Sequence, residues 1–151
     1  MPVTTTTRGD PTTYPHPMPD TSILEVFPAP VPSAGPGTRG VPIVIEHVSD
    51  EFTSLCPVTG HPDFGSVTLR YAPAPAPDGV CVELKSLKLY YQSFRGEGIF
   101  YEAVTQTIRD DLAALMHPAW LQIITHWKGR GGIRSVIRAE FGEVPAQWRG
   151  C

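Results

Sequence analysis

From position 41 onward the apolar residues recur in periods that can be read as elements. Residues 41–49 (VPIVIEHVS) read as a leading strand, and 50–65, with Pro57, Gly60, Pro62 and Gly65, as a loop. Residues 66–72 (SVTLRYA) alternate and predict a second strand. The Pro-Ala run at 73–77 and Asp78-Gly79 then make a turn into a third extended segment, 80–84. There the period changes. Leu87, Tyr90, Tyr91 and Phe94 fall at i, i+3, i+4 and i+7, the spacing of a helix face. Phe100, Val104, Ile108, Leu112 and Leu115 extend that spacing and predict a helix over 99–116, stopped before Pro118. Residues 120–127 and 133–141 read as two further strands joined by a hairpin at 129–132 (GRGG). In the last strand Ile133, Ser135, Ile137, Ala139 and Phe141 share one face; Arg134, Val136, Arg138 and Glu140 share the other. After the leading strand, the order strand, strand, helix, helix, strand, strand predicts an α+β fold with helices on one face of an antiparallel sheet. So small a sheet has open edges, which suit association into a larger barrel.

Composition divides the chain. Of 17 prolines in 151 residues, ten lie in residues 1–42, with Thr4 to Thr7, Thr12 and Thr13. Proline removes backbone donors, so residues 1–40 are expected to form an N-terminal arm, mobile or draped on the surface. The apolar run 23–27 (ILEVF) is the exception that can dock as an edge segment. Residues 41–151 then form one domain. A hydrophobic fraction of 41% supports a core, and the net charge of -3 argues against direct nucleic-acid binding. No apolar run approaches the ~20 residues of a membrane helix, and no signal peptide is expected at the start. Three cysteines, an odd number, do not suggest a secreted disulfide scaffold, so a cytoplasmic setting is expected.

Candidate chemistry gathers in three places. FTSLCPVTGHPDFG (52–65) sets Cys56, Thr59, His61 and Asp63 within eight positions. A cysteine is a nucleophile where its pKa is lowered and it is accessible, and a carboxylic acid seven residues on can move a proton. Alternatively, Cys56 is a small buried hydrophobe and Asp63 caps a turn. Glu83 to Tyr90 (ELKSLKLY) puts Lys85, Ser86 and Lys88 at a strand-to-helix junction. Free N–H groups and lysines there suit a phosphate, or simply make a solvated helix start. Arg130 and Arg134 flank the GRGG turn and offer further phosphate contacts. Glu102, near the start of the long helix, suits the paired donors of a guanine edge, or complements the helix dipole. No metal is expected: there is no C-x-x-C or H-E-x-x-H, and His47, His117 and His126 sit on separate elements. G-x-S-x-G, Walker and Rossmann fingerprints are absent.

FTSLCPVTGHPDFG and ELKSLKLYYQSFR, in this order and separation, resemble the NADPH-dependent 7-cyano-7-deazaguanine reductases, the nitrile reductases of queuosine biosynthesis, in their short single-module type. The resemblance runs from about residue 41 to 142 and includes FRGEGIFYE and GRGGI. It implies a tunnelling fold shared with GTP cyclohydrolase I, homo-oligomers of two stacked rings of five, and sites formed between subunits. It implies that Cys56 attacks the nitrile carbon and Asp63 protonates the nitrogen, giving a thioimide that two NADPH reduce to the aminomethyl base. Glu102 matches the glutamate that holds the guanine-like edge, with Glu83 and Tyr101 also on the base. Lys85, Ser86, Lys88 and Arg130 fall on the NADPH side.

Two positions depart from that pattern. Many family members carry histidine where this chain has Tyr101; tyrosine donates a hydrogen bond and stacks, but is not a cationic acid near neutral pH. His61 stands where glutamine is common. Three other readings keep the same nucleophile or fold: an amidinotransferase relative that adds ammonia to the same nitrile, a non-catalytic purine binder, and a thiol redox protein using Cys56 and Cys81. The intact ELKSLK segment argues against the first. Cys81 falls on an expected strand and reads as core, and Cys151 as a free tail.

Overall fold

A computed structural model describes residues 19–31 and 43–150; most of the expected arm, positions 41 and 42 and Cys151 lie outside the described residues. Six strands and two helices follow in the order β1 (Val26–Pro28), β2 (Ile45–Leu55), β3 (Pro62–Ala72), β4 (Val80–Val82), α1 (Leu84–Gln92), α2 (Tyr101–Met116), β5 (Trp120–Arg130) and β6 (Ile133–Gly142). The chain is mixed α+β. A four-stranded antiparallel sheet runs β2-β3-β5-β6, and a two-stranded one pairs β1 with β4.

The apolar run 23–27 docks. Leu24 is buried in the core, and Val26 and Phe27 pair with Val82 and Cys81 of β4. The expected loop 50–65 is mostly strand. β2 runs on to Leu55 and β3 begins at Pro62, so only residues 56–61 turn. A register shift between Ser49 and Phe52 carries β2 through Asp50 and Glu51 and returns Phe52, 1% exposed, to the core face. Pro62 opens β3, where a missing N–H is tolerated. Gly65 fits because Trp127 of β5 lies over it; a Cβ there would sit 2.5 Å from the His126 carbonyl oxygen and 3.0 Å from the indole. The extended segment expected over 80–84 stops at Val82: Leu84 is helical and Glu83 caps α1. The second helix starts at Tyr101 rather than 99, because the Ile99 N–H donates to Leu55 O at 3.0 Å and Phe100 is extended.

The helical periods hold for Leu87, Tyr90, Tyr91 and Phe94 and for Val104, Ile108 and Leu112, but Leu115 is only half-buried and Phe100, 45% exposed, precedes the helix. Val104, Ile108, Leu112 and Met116 of α2 and Leu87, Tyr90 and Tyr91 of α1 enter one core with Val67, Leu69 and Tyr71 of β3 and Leu121, Ile123 and Trp127 of β5. Both helices therefore cover the same face of the large sheet. Each fully buried aliphatic side chain here stabilises the fold by about 1.5–3 kcal/mol. His117 ends α2 in the left-handed region (φ 45°), followed by Pro118. Gly131 and Gly132, at φ 57° and 80°, form the two-residue turn that folds β6 back on β5, a conformation that wants positive φ at both positions. Among the described residues no helix is long and apolar enough to cross a membrane.

Candidate active site

β2 delivers Cys56 just past its end. The Cys56 N–H donates to His61 O and the Gly60 N–H to Cys56 O, both at 2.8 Å, so residues 56–61 form a closed turn. Beside it, Leu55 donates to Glu97 O at 2.8 Å, which ties the 94–100 loop to the strand. Cys56 is partly exposed. Its burial pushes the thiol up and the Asp63 charge adds to that. The Thr59 hydroxyl and the backbone N–H groups of Thr59 and Val58 stabilise the thiolate more, and the pKa falls below the ordinary thiol value. Thr59 was noted in the sequence as a neighbour; the turn gives it this task.

Asp63 is 4% exposed at the start of β3. The Tyr101 hydroxyl donates to its Oδ1 at 3.2 Å, and an Arg130 Nη sits 2.7 Å from the same oxygen. Arg130 also donates to Pro62 O at 2.7 Å. The turn arginine expected on a cofactor phosphate thus stands on the acid. Tyr101 stacks on Trp127, centroids 4.1 Å apart and planes 10° from parallel. Burial and the charge and hydrogen bond of Asp63 push the Tyr101 phenol up, so it stays protonated and donates at neutral pH.

A chain of hydrogen bonds sets that stacked pair. Thr105 Oγ1 donates to Tyr101 O at 2.8 Å and lies 2.7 Å from Thr125 Oγ1, which accepts from Trp127 Nε1 at 2.9 Å. Each hydroxyl has one proton, and that of Thr105 is committed to the carbonyl, so Thr125 donates to Thr105. The order is Trp127 to Thr125 to Thr105 to Tyr101. Trp127, Thr125 and Thr105 carried no signal in sequence, since only the β3–β5 register and the docking of α2 bring them together.

The remaining candidates lie around α1 and α2. Glu102 is exposed in the first turn of α2, next to Tyr101. Glu83 caps α1, its two oxygens accepting from the N–H groups of Lys85 (2.8 Å) and Ser86 (2.7 Å). Those bonds, more than the Lys85 charge, hold its carboxyl below the usual range. Ser86 is buried; its hydroxyl donates to Glu83 O and accepts from the Glu25 N–H, which fastens the segment before β1 to α1. Lys85 and Lys88 are exposed. Lys88 lines a groove of about 240 Å³ between β2 and α1 with His47, Glu51, Tyr91 and Arg95. Cys81 is buried on β4. Among the described residues, no three of His, Cys, Asp or Glu cluster as a metal site.

A family model described as "QueF-like protein" matches residues 62–146. The NADPH-dependent 7-cyano-7-deazaguanine reductase of Anaeromyxobacter sp. (strain K) is 49% identical over 123 residues, covering 82% of this chain and 92% of that protein. The reductase of the same name from Prosthecochloris aestuarii is 53% identical over 100 residues, 66% of this chain and 81% of that one. Among solved structures, the apo form of the archaeosine synthase QueF-Like matches with a TM-score of 0.56 and 21% identity, covering 69% of this chain and 96% of that one; at that identity the likeness concerns the fold.

Proposed function

The chain belongs to the QueF-like protein family, and from that premise we propose that it reduces the nitrile of 7-cyano-7-deazaguanine to the aminomethyl base with NADPH, as a step of queuosine biosynthesis. The observation that carries the reading is Cys56. Its thiolate is stabilised by a closed turn, and the next strand begins with a buried aspartate whose charge the thiol feels.

The chemistry of the residues follows from this placement. The thiol proton passes to the Asp63 carboxylate as sulfur bonds to the nitrile carbon. The triple bond becomes C=N, and its nitrogen takes the proton back from Asp63. Tyr101 and Arg130 both hold Oδ1, which leaves Oδ2 as the oxygen to move the proton. The product is a thioimide on Cys56, and its polarised carbon accepts hydride far better than a bare nitrile. Glu102 faces the paired donors of the base edge, and Tyr101, fixed on Trp127, sets the adjoining wall. Glu83 acts by holding the start of α1 beside them.

When bound, NADPH would supply hydride to the carbon held on Cys56 and, from a second molecule, to the imine left when the thiol departs. The residues fit its charge. Lys88 and Arg95 line one groove, and neither has an ion-pair partner among the described residues; Lys85 stands one turn back. Ser86 serves by locking α1. Arg130, at the hairpin end, reaches the same anion by leaving Asp63. The tunnelling-fold barrel, a decamer of two five-membered rings, a cytoplasmic setting and a catalytic domain over 41–151 belong to the same proposal. The open edges of β2 and β6 and the exposed Val48, Phe64, Val136 and Phe141 support the assembly.

Mass spectrometry after incubation with the nitrile base tests the chemistry. Wild type should gain the full mass of the base, since addition loses no atoms, and Cys56→Ala should gain none. NADPH absorbance should then fall in the presence of base. Normal adduct with no NADPH oxidation would overturn the reductase reading and favour the amidinotransferase one; no adduct would leave a binder.

A further inference from the structure

Ser54 is the one buried hydroxyl beside the reacting groups whose place the chemistry above does not explain. It lies directly opposite Asp63 in the β2–β3 ladder and two residues before Cys56. Directly opposed residues of an antiparallel pair point to the same face, with Cβ atoms about 4.5–5.5 Å apart. Ser54 is 0% exposed, and its Oγ has no hydrogen-bond partner among the described residues. A hydroxyl buried without a partner destabilises a fold, so its usual fate is replacement by alanine or capture by a neighbour. Asp63 is the neighbour with capacity. Its two side-chain contacts both fall on Oδ1, so Oδ2 is the oxygen on which neither falls.

We propose that Ser54 is a positioning residue for Asp63: with the base in place, its hydroxyl turns to Oδ2 and fixes the carboxyl plane toward the nitrile nitrogen. A hydroxyl suits both states of that oxygen, since it donates to a lone pair of Oδ2 whether or not the oxygen carries the proton, and leaves that proton to face the nitrogen. No atom is gained or lost at Ser54. The proton leaves sulfur, rests on Oδ2 and moves to nitrogen, while the S–C bond forms and one C–N π bond is lost. Arg130 and Tyr101 hold one oxygen and Ser54 the other, so the carboxyl cannot rotate between the two transfers. The proposal rests on the nitrile-addition reading above.

The test is the rate of adduct formation with the nitrile base across pH 5–9, without NADPH, in wild type, Ser54→Ala, Asp63→Asn and the double variant. Ser54→Ala should form adduct about tenfold more slowly, with base affinity unchanged and the pH profile displaced. It should melt no lower than wild type, because it removes an unpartnered hydroxyl. In the Asp63→Asn background, followed over hours by mass spectrometry, Ser54→Ala should change the residual rate less than twofold. A wild-type rate and profile in Ser54→Ala overturns the proposal. So does an equal slowing in both backgrounds, or a slowing with unchanged profile and lowered melting. Absence of adduct in wild type counts against the nitrile-addition reading instead.

Discussion

Replacing Thr125 by valine probes the hydrogen-bond chain that sets the Tyr101–Trp127 stack. Thr125 is 0% exposed, and the valine side chain keeps nearly its shape. What goes is the acceptor for Trp127 Nε1, at 2.9 Å, and the donor to Thr105, at 2.7 Å. Trp127 is 3% exposed, so its N–H is left buried and unpaired, which costs about 1–3 kcal/mol; the lost hydroxyl pair adds about 1 kcal/mol. The extra methyl returns about 0.8 kcal/mol of apolar burial. The net expectation is a loss of about 2 kcal/mol, or roughly 10 °C in Tm for a domain of this size. Thermal melts at one fixed protein concentration read it directly. The direction of the chain gives a sharper check. Thr105→Val alone removes both the acceptor of the Thr125 proton and the bond to the Tyr101 carbonyl, about 1 kcal/mol each. In the double variant the loss of the hydroxyl pair has already been counted, so Thr105→Val should add to Thr125→Val only the bond to the Tyr101 carbonyl, about 1 kcal/mol. Two single effects that sum within ~0.3–0.5 kcal/mol to the double would mean that the hydroxyls are independent. A Thr125→Val protein that melts at or above wild type would refute the network altogether.

Two further expectations follow from the charges. Thr59→Val removes the hydroxyl that stabilises the Cys56 thiolate, so the thiol pKa rises; alkylation by iodoacetamide at pH 7 should slow several-fold, and the midpoint of its pH dependence should move up. An unchanged midpoint would assign the lowered pKa to the backbone N–H groups alone. Glu83→Gln keeps an acceptor at the start of α1 but removes the charge. Because the folded pKa of Glu83 lies below its unfolded value, the ionised cap stabilises the fold above the unfolded pKa and ceases to do so as pH falls through the folded one. Wild type should therefore out-melt Glu83→Gln at pH 7, and the difference should close in acid; a gap independent of pH would show that the charge contributes nothing.

How far the fold could be read from the residues depends on the range of the forces that set each part. The face of α2 was legible because Val104, Ile108 and Leu112 repeat at one period and all meet the core; its last turn was read one residue early, since Met116 rather than Leu115 is buried there. The end of β2 was not, because the bulge at Asp50 and Glu51 breaks the alternation just where Phe52 returns to the core. Pro62 and Gly65 looked like loop residues for local reasons. In the sheet the first needs no N–H, and the second makes room for an indole 62 positions later. Glu83 was placed near the base by the family resemblance alone; that its oxygens also serve the first turn of α1 was not legible, because glutamate is not the commonest cap. The candidate nucleophile Cys56 and the candidate acid Asp63 were visible together because one short turn joins them. What holds that acid was not. The two-residue glycine turn folds β6 back, and Arg130, next to it, reaches across the sheet to Pro62 O and Asp63 Oδ1. A basic residue in a glycine turn suggests an anion, and here the anion belongs to the chain itself. In the function proposed above the same guanidinium meets a cofactor phosphate by giving up the aspartate, so the two proposed roles alternate in time.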